Sequence, residues 1–220
     1  MKFLADTANL DDLKRLWGYF PIIGITTNPS LIAKEKIPLS QCIPKILKII
    51  GQGDIHIQVM ASTAAGMLKE AKKYQDYFKL GNQFFAKIPI TKEGLKSIPM
   101  IKDSGINATA TAIYTPLQAE LAANAGADYV IPYVNRIDNI SGNGIDVISD
   151  IVALFDQSHH SCQILPASFK NVDQVYQTGI AGAHTASVPA DILEAMIWHP
   201  MVDKAVKDFK TAGKAYYDIF

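Results

Sequence analysis

The sequence predicts an α/β protein: a single (β/α)8 TIM barrel with an additional C-terminal helix. Eight short apolar runs alternate with helical patterns along 220 residues, and no linker or low-complexity tract interrupts them. Strands that alternate with helices indicate a parallel sheet, and a closed barrel is the most economical arrangement of eight. An open doubly wound sheet is the alternative, although the chain lacks the Gly-x-Gly-x-x-Gly turn of a dinucleotide fold.

The predicted strands share an apolar, β-branched and aromatic composition that is typical of buried strands. They cover residues 2–7, 22–28, 55–60, 84–90, 106–113, 128–136, 163–170 and 183–189. Pro89, Pro132 and Pro166 lie in or just after three of these runs. Because proline cannot donate a hydrogen bond to a sheet, these residues are interpreted as marking strand ends.

The predicted helices begin at capping residues or at prolines, where an unpaired N–H costs least. They start at or just after Asn9, Asn28, Thr63, Thr91, Pro116, Gly144 and Ala190. A last amphipathic helix follows Pro200, with Val202, Val206, Phe209 and Tyr216 along one side. The whole chain, 1–220, is therefore predicted to be one barrel domain, of which 200–220 form the extra helix.

The bulk composition favours a cytoplasmic protein without a strongly charged surface. Lysine plus arginine and aspartate plus glutamate both number 21, so no nucleic-acid or membrane partner is expected. No apolar run is long enough for a bilayer, and the apolar residues before Asp6 are too few for a signal peptide. Cys42 and Cys162 are far apart in sequence, which is typical of reduced thiols.

Lys87 is the most unusual residue, because it places an amine inside the apolar run 84–90. Burial disfavours a charged ammonium, so the pKa of Lys87 should fall, and a neutral amine can form a Schiff base with a carbonyl. In the alternative interpretation, Lys87 lies at a strand end and its flexible side chain reaches water.

In a (β/α)8 barrel the active site lies at the C-terminal ends of the strands. The polar residues that close the predicted strands are Asp6, Asn28, Gln58, Lys87, Thr111, Tyr133, Arg136 and Ser168. This set suits Schiff-base aldol cleavage, with Lys87 as nucleophile. Tyr133, Asp6 and a water held by Gln58 and Thr111 could move protons, while Arg136 and Lys170 beside Ser168 could hold a phosphate.

Each of these residues also has a purely structural explanation. Asp6, Asn28 and Thr111 could be caps or turn residues, and Tyr133 a buried aromatic. Arg136 could form an ion pair with Asp138, and Lys170 could be solvated. His56, His184 and His199 are interpreted as structural, and the segment 159–162, with His159 and His160, lacks the spacing of a zinc site with a second cluster. No metal and no other cofactor is predicted.

Six motifs spread over the full length resemble the small transaldolase family and, within it, the fructose-6-phosphate aldolase branch. They are LADT (4–7), GITTNPS (24–30), QVMA (58–61), AKIP (86–89), PYVNRID (132–138) and ASFK (167–170). The resemblance implies a (β/α)8 barrel, a Schiff-base lysine at Lys87 and sugar-phosphate or small ketone and aldehyde substrates. It implies substrate contacts at Asp6, Thr26 and Asn28, phosphate contacts at Arg136, Ser168 and Lys170, and a homo-oligomer, commonly a decamer. The C-terminal helix is expected at a subunit interface.

Two residues separate the branches of this family. Transaldolases generally have phenylalanine in place of Tyr133 and glutamate in place of Gln58, so the resemblance favours the aldolase here. The rivals are a transaldolase that moves a dihydroxyacetone unit between sugar phosphates, and a non-catalytic phosphosugar-binding barrel. Ile131, where relatives carry alanine or serine, and Thr109 depart from the family pattern and bear on which ketone donor is accepted.

Overall fold

The computed structural model describes residues 1–217 and contains eight parallel strands arranged as a nearly closed barrel, which confirms the predicted fold class. The strands are β1 (Lys2–Asp6), β2 (Ile22–Thr26), β3 (Asp54–Gln58), β4 (Phe84–Pro89), β5 (Asn107–Ile113), β6 (Tyr129–Pro132), β7 (Gln163–Ile164) and β8 (Thr185–Val188). Among the described residues, no helix is long and apolar enough to cross a membrane.

The pairing of β1 excludes an open doubly wound sheet. β1 pairs in parallel with both β2 and β8, so the first and last strands are neighbours. From β2 to β7, each strand pairs with the next one along the chain. At the remaining seam, the backbone N–H of Ser187 in β8 donates to the Pro166 carbonyl just after β7, at 2.9 Å. The strands therefore surround a single interior, and their C-terminal ends meet at one rim.

Eleven helices accompany the strands within residues 1–217. They are α1 (Leu10–Tyr19), α2 (Pro29–Lys34), α3 (Leu39–Ile50), α4 (Ala64–Phe78), α5 (Lys92–Asp103), α6 (Pro116–Asn124), α7 (Val134–Asp138), α8 (Gly144–Ser158), α9 (Val172–Ile180), α10 (Ala190–Ile197) and α11 (Pro200–Gly213). The side chains of Asn9, Asn28 and Thr91 each accept a backbone N–H at a helix start, which confirms these predicted caps, and Thr63 caps α4 in the same way. Sequence patterns did not predict α3, α7 or α9.

Strands six and seven are shorter than predicted, for a reason that also supports the interpretation of the prolines. β6 ends at Pro132 and the chain turns at once into α7, while β7 has two residues and is followed by Pro166. A proline lacks the N–H that would continue the pairing. Beyond Pro132 a single bridge remains, between Tyr133 and Ala167. Arg136 consequently lies on a helix rather than at a strand end.

Two apolar layers hold this arrangement together. The larger layer lies between the sheet and the surrounding helices. The smaller fills the barrel interior and consists of the buried residues Leu4, Ile131, Leu165 and Ala167, with Tyr133 packed against them. The interior is therefore a packed core, and its polar side chains either lie toward the rim or, like His56 and Thr109, are buried as a hydrogen-bonded pair.

The extra C-terminal helix is present as α11, which contains no buried residue. Phe209 is 74% exposed, and Val202 and Val206 are exposed as well. The helix ends at Gly213, so Tyr216 lies beyond it. The last part of the predicted 200–220 segment, residues 218–220, lies outside the described residues.

Candidate active site

The structure brings most of the predicted site residues to the C-terminal rim of the barrel. Asp6, Thr26 and Gln58 are the last residues of β1, β2 and β3. Asp6 is opposite Thr26 in the pairing of β1 with β2, and Gln58 is opposite Lys87 in that of β3 with β4. Parallel strands end on the same side of a sheet, so the spacing of these residues along the sequence becomes proximity at one rim.

Lys87 is buried at the centre of this group. Its side chain is 3% exposed, and its Nζ donates to the Thr27 carbonyl at 3.1 Å. Burial lowers the pKa of Lys87, and Arg136 adds to this effect, while Asp6 opposes it. The interpretation of Lys87 as a solvated strand-end amine is therefore wrong. The side chain is placed where a neutral amine can be present to attack a carbonyl.

Asp6 is held by a hydroxyl rather than by a direct ion pair. The Oγ1 of Thr26 donates to Oδ1 of Asp6 at 2.8 Å, and no salt bridge joins Asp6 to another group within residues 1–217. Burial raises the pKa of Asp6, while the charge of Lys87 and the hydrogen bond from Thr26 act in the opposite direction. Asp6 is therefore a candidate acid–base group at this rim.

Tyr133 directs a phenol at the same rim. Its hydroxyl lies 3.0 Å from Oγ1 of Thr111, and burial raises its pKa, so the phenol stays protonated at neutral pH. The ring is held by an edge contact with Tyr114, at 5.8 Å between centroids, and by the guanidinium of Arg136, at 4.5 Å from the ring centroid. The structure therefore holds the Tyr133 phenol just after β6, the strand that neighbours Thr111 in β5.

Two residues at this rim have a left-handed backbone that side chains other than glycine adopt at a cost. Ala112 has φ 60° and Ser168 has φ 65°. Ala112 lies where the pairing of β5 with β6 shifts register, next to Thr111. Such local strain is common at functional sites, where a bulge redirects a side chain. The residue order alone contains no sign of this feature.

The predicted phosphate contacts lie on two adjoining segments at the outer edge of the rim. Arg136 and Lys170 are both exposed, and the backbone N–H of Asn135 donates to the Ser168 carbonyl at 2.9 Å. The ion pair between Arg136 and Asp138, which was the structural alternative, is absent from the described residues. Asp138 instead accepts from the backbone N–H of Gly144 at 2.7 Å. Arg136 therefore keeps its guanidinium donors available for an anion.

Asn28 has a structural role, as one of the two interpretations expected. Its side-chain oxygen accepts from the backbone N–H of Leu31 at 3.0 Å and caps α2. Asn28 and Gln58 both line a cavity of about 460 Å³ that extends outward from the rim beside Met60. The cap does not exclude substrate binding, because the amide nitrogen of Asn28 remains a possible donor.

Sequence patterns missed two features next to the site. The first is Ser187 in β8, whose Oγ lies 2.5 Å from Oγ1 of Thr26. The strand-end rule that selected the other residues could have found it, since it is the second-last residue of β8. The second is the pair formed by Nδ1 of His56 and Oγ1 of Thr109, at 2.9 Å, in which neither residue is exposed.

His56 is not the fully satisfied structural histidine that was expected. Its ring stacks on Phe85 at 4.5 Å between centroids, and its Nε2 has no hydrogen-bond partner among the described residues. Burial and the charge of Lys87 lower its pKa to about 3, so the ring is neutral. His184 and His199 do have structural partners, because each accepts a backbone N–H. Within residues 1–217, no group of three or more metal-ligating side chains occurs.

The chain was compared with known protein families and curated relatives. A family model described as Transaldolase/Fructose-6-phosphate aldolase matches residues 3–218. A probable fructose-6-phosphate aldolase of Streptococcus pneumoniae is 39% identical over 95% of this chain and 94% of that protein. A probable transaldolase of Desulfotalea psychrophila is 38% identical over 95% of this chain and 96% of that protein. A probable transaldolase of Clostridioides difficile is 40% identical, covering 95% of each chain.

Solved structures support the fold alone. A mandelate oxidase mutant with 2-hydroxy-phenylacetamide aligns with a TM-score of 0.60 at 13% identity, covering 86% of this chain. A second mandelate oxidase mutant, with a monooxide FMN adduct, aligns with a TM-score of 0.57 at 14% identity, also covering 86% of this chain. The chain spans 64% of the length of each of these proteins. At such identities the likeness extends to the barrel and not to its chemistry.

Proposed function

The chain belongs to the transaldolase/fructose-6-phosphate aldolase family, and on that premise we propose that it is a Schiff-base aldolase that cleaves fructose 6-phosphate reversibly. The products are dihydroxyacetone and glyceraldehyde 3-phosphate. The observation that carries this choice is the phenol of Tyr133, 3.0 Å from Thr111 at the rim that also holds the buried amine of Lys87. A phenol can move protons in steps that free release of the product requires.

The proposed reaction begins at Lys87. Its neutral amine attacks C2 of the open-chain ketose, and a new C–N bond forms while the carbonyl oxygen takes a proton. Loss of that oxygen as water leaves a protonated imine. Tyr133 and Asp6 are the groups at the rim that can give and take these protons. The imine nitrogen then acts as an electron sink, so the reaction requires neither a metal nor an organic cofactor.

Cleavage follows from the imine. A base removes the proton of the C4 hydroxyl, the C3–C4 bond breaks, and its electron pair moves into the imine to form an enamine. Glyceraldehyde 3-phosphate leaves with its phosphate near Arg136, Ser168 and Lys170. The enamine then takes a proton at C3, and water hydrolyses the imine to release dihydroxyacetone and restore Lys87. Protonation at C3 distinguishes an aldolase from a transaldolase, in which the enamine attacks a second aldehyde and the new imine is then hydrolysed.

The transaldolase is the second candidate, and it is favoured by two relatives that are each described as a probable transaldolase. It would move a dihydroxyacetone unit from sedoheptulose 7-phosphate to glyceraldehyde 3-phosphate, with erythrose 4-phosphate and fructose 6-phosphate as products. The deciding experiment supplies fructose 6-phosphate without an acceptor. Catalytic release of free dihydroxyacetone supports the aldolase, whereas turnover only after addition of erythrose 4-phosphate would identify a transaldolase. Binding of the sugar phosphate without either reaction would identify a non-catalytic barrel.

Neutralising the phosphate contacts is expected to change KM selectively. Arg136→Gln or Lys170→Gln should raise KM for phosphorylated acceptors about tenfold, the amount expected for one charge-assisted hydrogen bond. Both side chains are exposed, so the fold should tolerate their replacement. Steady-state kinetics in the synthesis direction test this prediction, with glyceraldehyde 3-phosphate compared with glyceraldehyde.

The selectivity of the effect is what distinguishes a phosphate contact from general damage. Lys48→Gln, which neutralises an exposed lysine on α3, should leave both KM values unchanged. An equal rise in KM for both aldehydes in the Arg136 and Lys170 variants would contradict the phosphate assignment.

We also propose that the chain forms a homo-oligomer in which α11 contacts a neighbouring copy. The helix contains no buried residue, and Phe209, Val202 and Val206 leave apolar surface exposed on it. Unpartnered apolar surface of this kind is typical of an interface. Sedimentation velocity should show a mass of several 24.0 kDa chains, and Phe209→Asp should reduce it. A monomeric wild-type protein would contradict the proposal.

A further inference from the structure

Three oxygen-bearing side chains form a continuous hydrogen-bonded row across β8, β2 and β1. The Oγ of Ser187 lies 2.5 Å from Oγ1 of Thr26, which lies 2.8 Å from Oδ1 of Asp6. Ser187 is 0% exposed and Thr26 is 1% exposed. Water therefore does not compete for the two hydroxyl groups, and the row ends on a carboxyl group that faces the site.

The chemistry of these groups sets the direction of the hydrogen bonds. An ionised carboxylate can only accept, so Thr26 must donate its single hydroxyl proton to Asp6. The oxygen of Thr26 can then only accept from Ser187, which has to donate. No other hydrogen bond of the Ser187 hydroxyl is present among the described residues. The full row from Ser187 through Thr26 thus forms in this direction when Asp6 carries its negative charge.

We propose that Ser187 is a positioning residue for the reaction: by donating to Thr26, it stabilises the ionised, correctly oriented carboxylate of Asp6. The assignment of a catalytic role to Asp6 rests on the proposed function, whereas the hydrogen-bonded row does not. Each donor in such a row polarises the next, and the effect is largest where the local dielectric is low. Ser187 consequently acts on Asp6 without contacting it or the substrate.

Several charged groups face Asp6 and share control of its ionisation. Lys87 from β4, Arg136 from α7 and Lys34 from α2 favour the carboxylate, and the phenol of Tyr133 faces it from the end of β6. Burial acts against them and raises the pKa of Asp6. Loss of a donor from the row should raise that pKa further, because the ionised form loses a stabilising contact that the neutral form needs less.

The test measures the titration of Asp6 directly, by ¹³C NMR of the carboxyl groups in the full-length protein, with Asp6→Asn used to assign the signal. Ser187→Ala should move the Asp6 midpoint to higher pH. Ser97→Ala is the matched control, since Ser97 is also 0% exposed and its hydroxyl donates to the Gly94 carbonyl at 2.8 Å, away from the row. It should leave the midpoint unchanged, and Ser187→Thr, which keeps the hydroxyl, should restore the wild-type value.

A double-mutant cycle shows whether Ser187 acts through Thr26. In a Thr26→Val background the row is already broken, so Ser187→Ala should produce no further shift of the Asp6 midpoint. An equal shift in both backgrounds would mean that Ser187 influences the site by some other route and would overturn the proposal. An unchanged midpoint in the wild-type background, with the fold intact by circular dichroism, would overturn it as well.

The kinetic measurement separates this proposal from the proposed function. In Ser187→Ala, kcat/KM should fall about threefold on the acid limb of the pH profile and little on the plateau, because the required carboxylate forms at higher pH. A shifted NMR midpoint in a protein without aldolase or transaldolase activity would support the role of Ser187 and reject the proposed function. Aldolase activity with an unshifted midpoint would support the function and reject the role of Ser187.

Discussion

Replacing Lys87 by methionine is expected to lower aldolase turnover at least about 10⁴-fold, because the substituted protein cannot form the covalent imine. Methionine has a similar length and no charge, so it suits a side chain that is 3% exposed. It also removes the cost of burying an amine whose only hydrogen-bond partner within residues 1–217 is the Thr27 carbonyl. The variant should therefore stay folded, and its melting temperature should equal or exceed that of the wild-type protein.

The covalent step can be observed independently of turnover. Borohydride reduction in the presence of fructose 6-phosphate or dihydroxyacetone should attach the ketone carbon skeleton to Lys87, which peptide mass spectrometry locates. Lys92→Met, which changes an exposed lysine in the first turn of α5, should still be labelled and should keep wild-type turnover. Absence of a label in wild-type protein that binds the substrate would reject the Schiff-base mechanism.

Replacing Tyr133 by phenylalanine should reduce the release of free dihydroxyacetone at least about tenfold, the lower range for loss of an acid–base group. Phenylalanine keeps the ring, so the contacts with Tyr114 and Arg136 should persist. Only the hydroxyl 3.0 Å from Thr111 is lost. Transfer of the enamine to an added aldehyde bypasses protonation at C3, although the new imine must still be hydrolysed, so transfer should fall less than release does.

The ratio of release to transfer is therefore the quantity to measure, with fructose 6-phosphate alone and with erythrose 4-phosphate added. Tyr129→Phe is the matched control, since Tyr129 begins β6, the strand that leads to Tyr133, and packs against Phe85, lower in the barrel. It should leave the ratio unchanged. If Tyr133→Phe releases dihydroxyacetone at the wild-type rate, the acid–base role belongs to Asp6 or to a bound water molecule instead.

Much of this site could be predicted because barrel geometry turns sequence position into spatial position. Asp6, Thr26 and Gln58 each close a strand, and a polar residue at the end of an apolar run is visible without coordinates. Lys87 was recognisable from its unfavourable surroundings, since an amine in an apolar strand requires an explanation. The prolines after strands also predicted where pairing stops, as Pro132 shows at the end of β6.

Other features depend on contacts between residues that are distant along the chain. Ser187 approaches Thr26 only because the barrel closes through the pairing of β8 with β1, and 161 residues separate the two. His56 and Thr109 likewise meet across strands, 53 residues apart. No local pattern encodes such distances. The sequence motif that includes Arg136 did not show that this residue would lie on α7, with its guanidinium over the ring of Tyr133.

Local patterning alone was enough to determine the order of the eight strands, most of the helices, several caps, and much of the set of polar residues at the rim. These depend on hydrophobic periodicity and on hydrogen bonds between near neighbours, which are properties of short segments. The tertiary structure decided the burial of Lys87, the left-handed turn at Ala112 beside Thr111, and the row that ends on Asp6. Their cause is the closure of the barrel, which removes water from its interior and brings distant side chains within hydrogen-bonding distance.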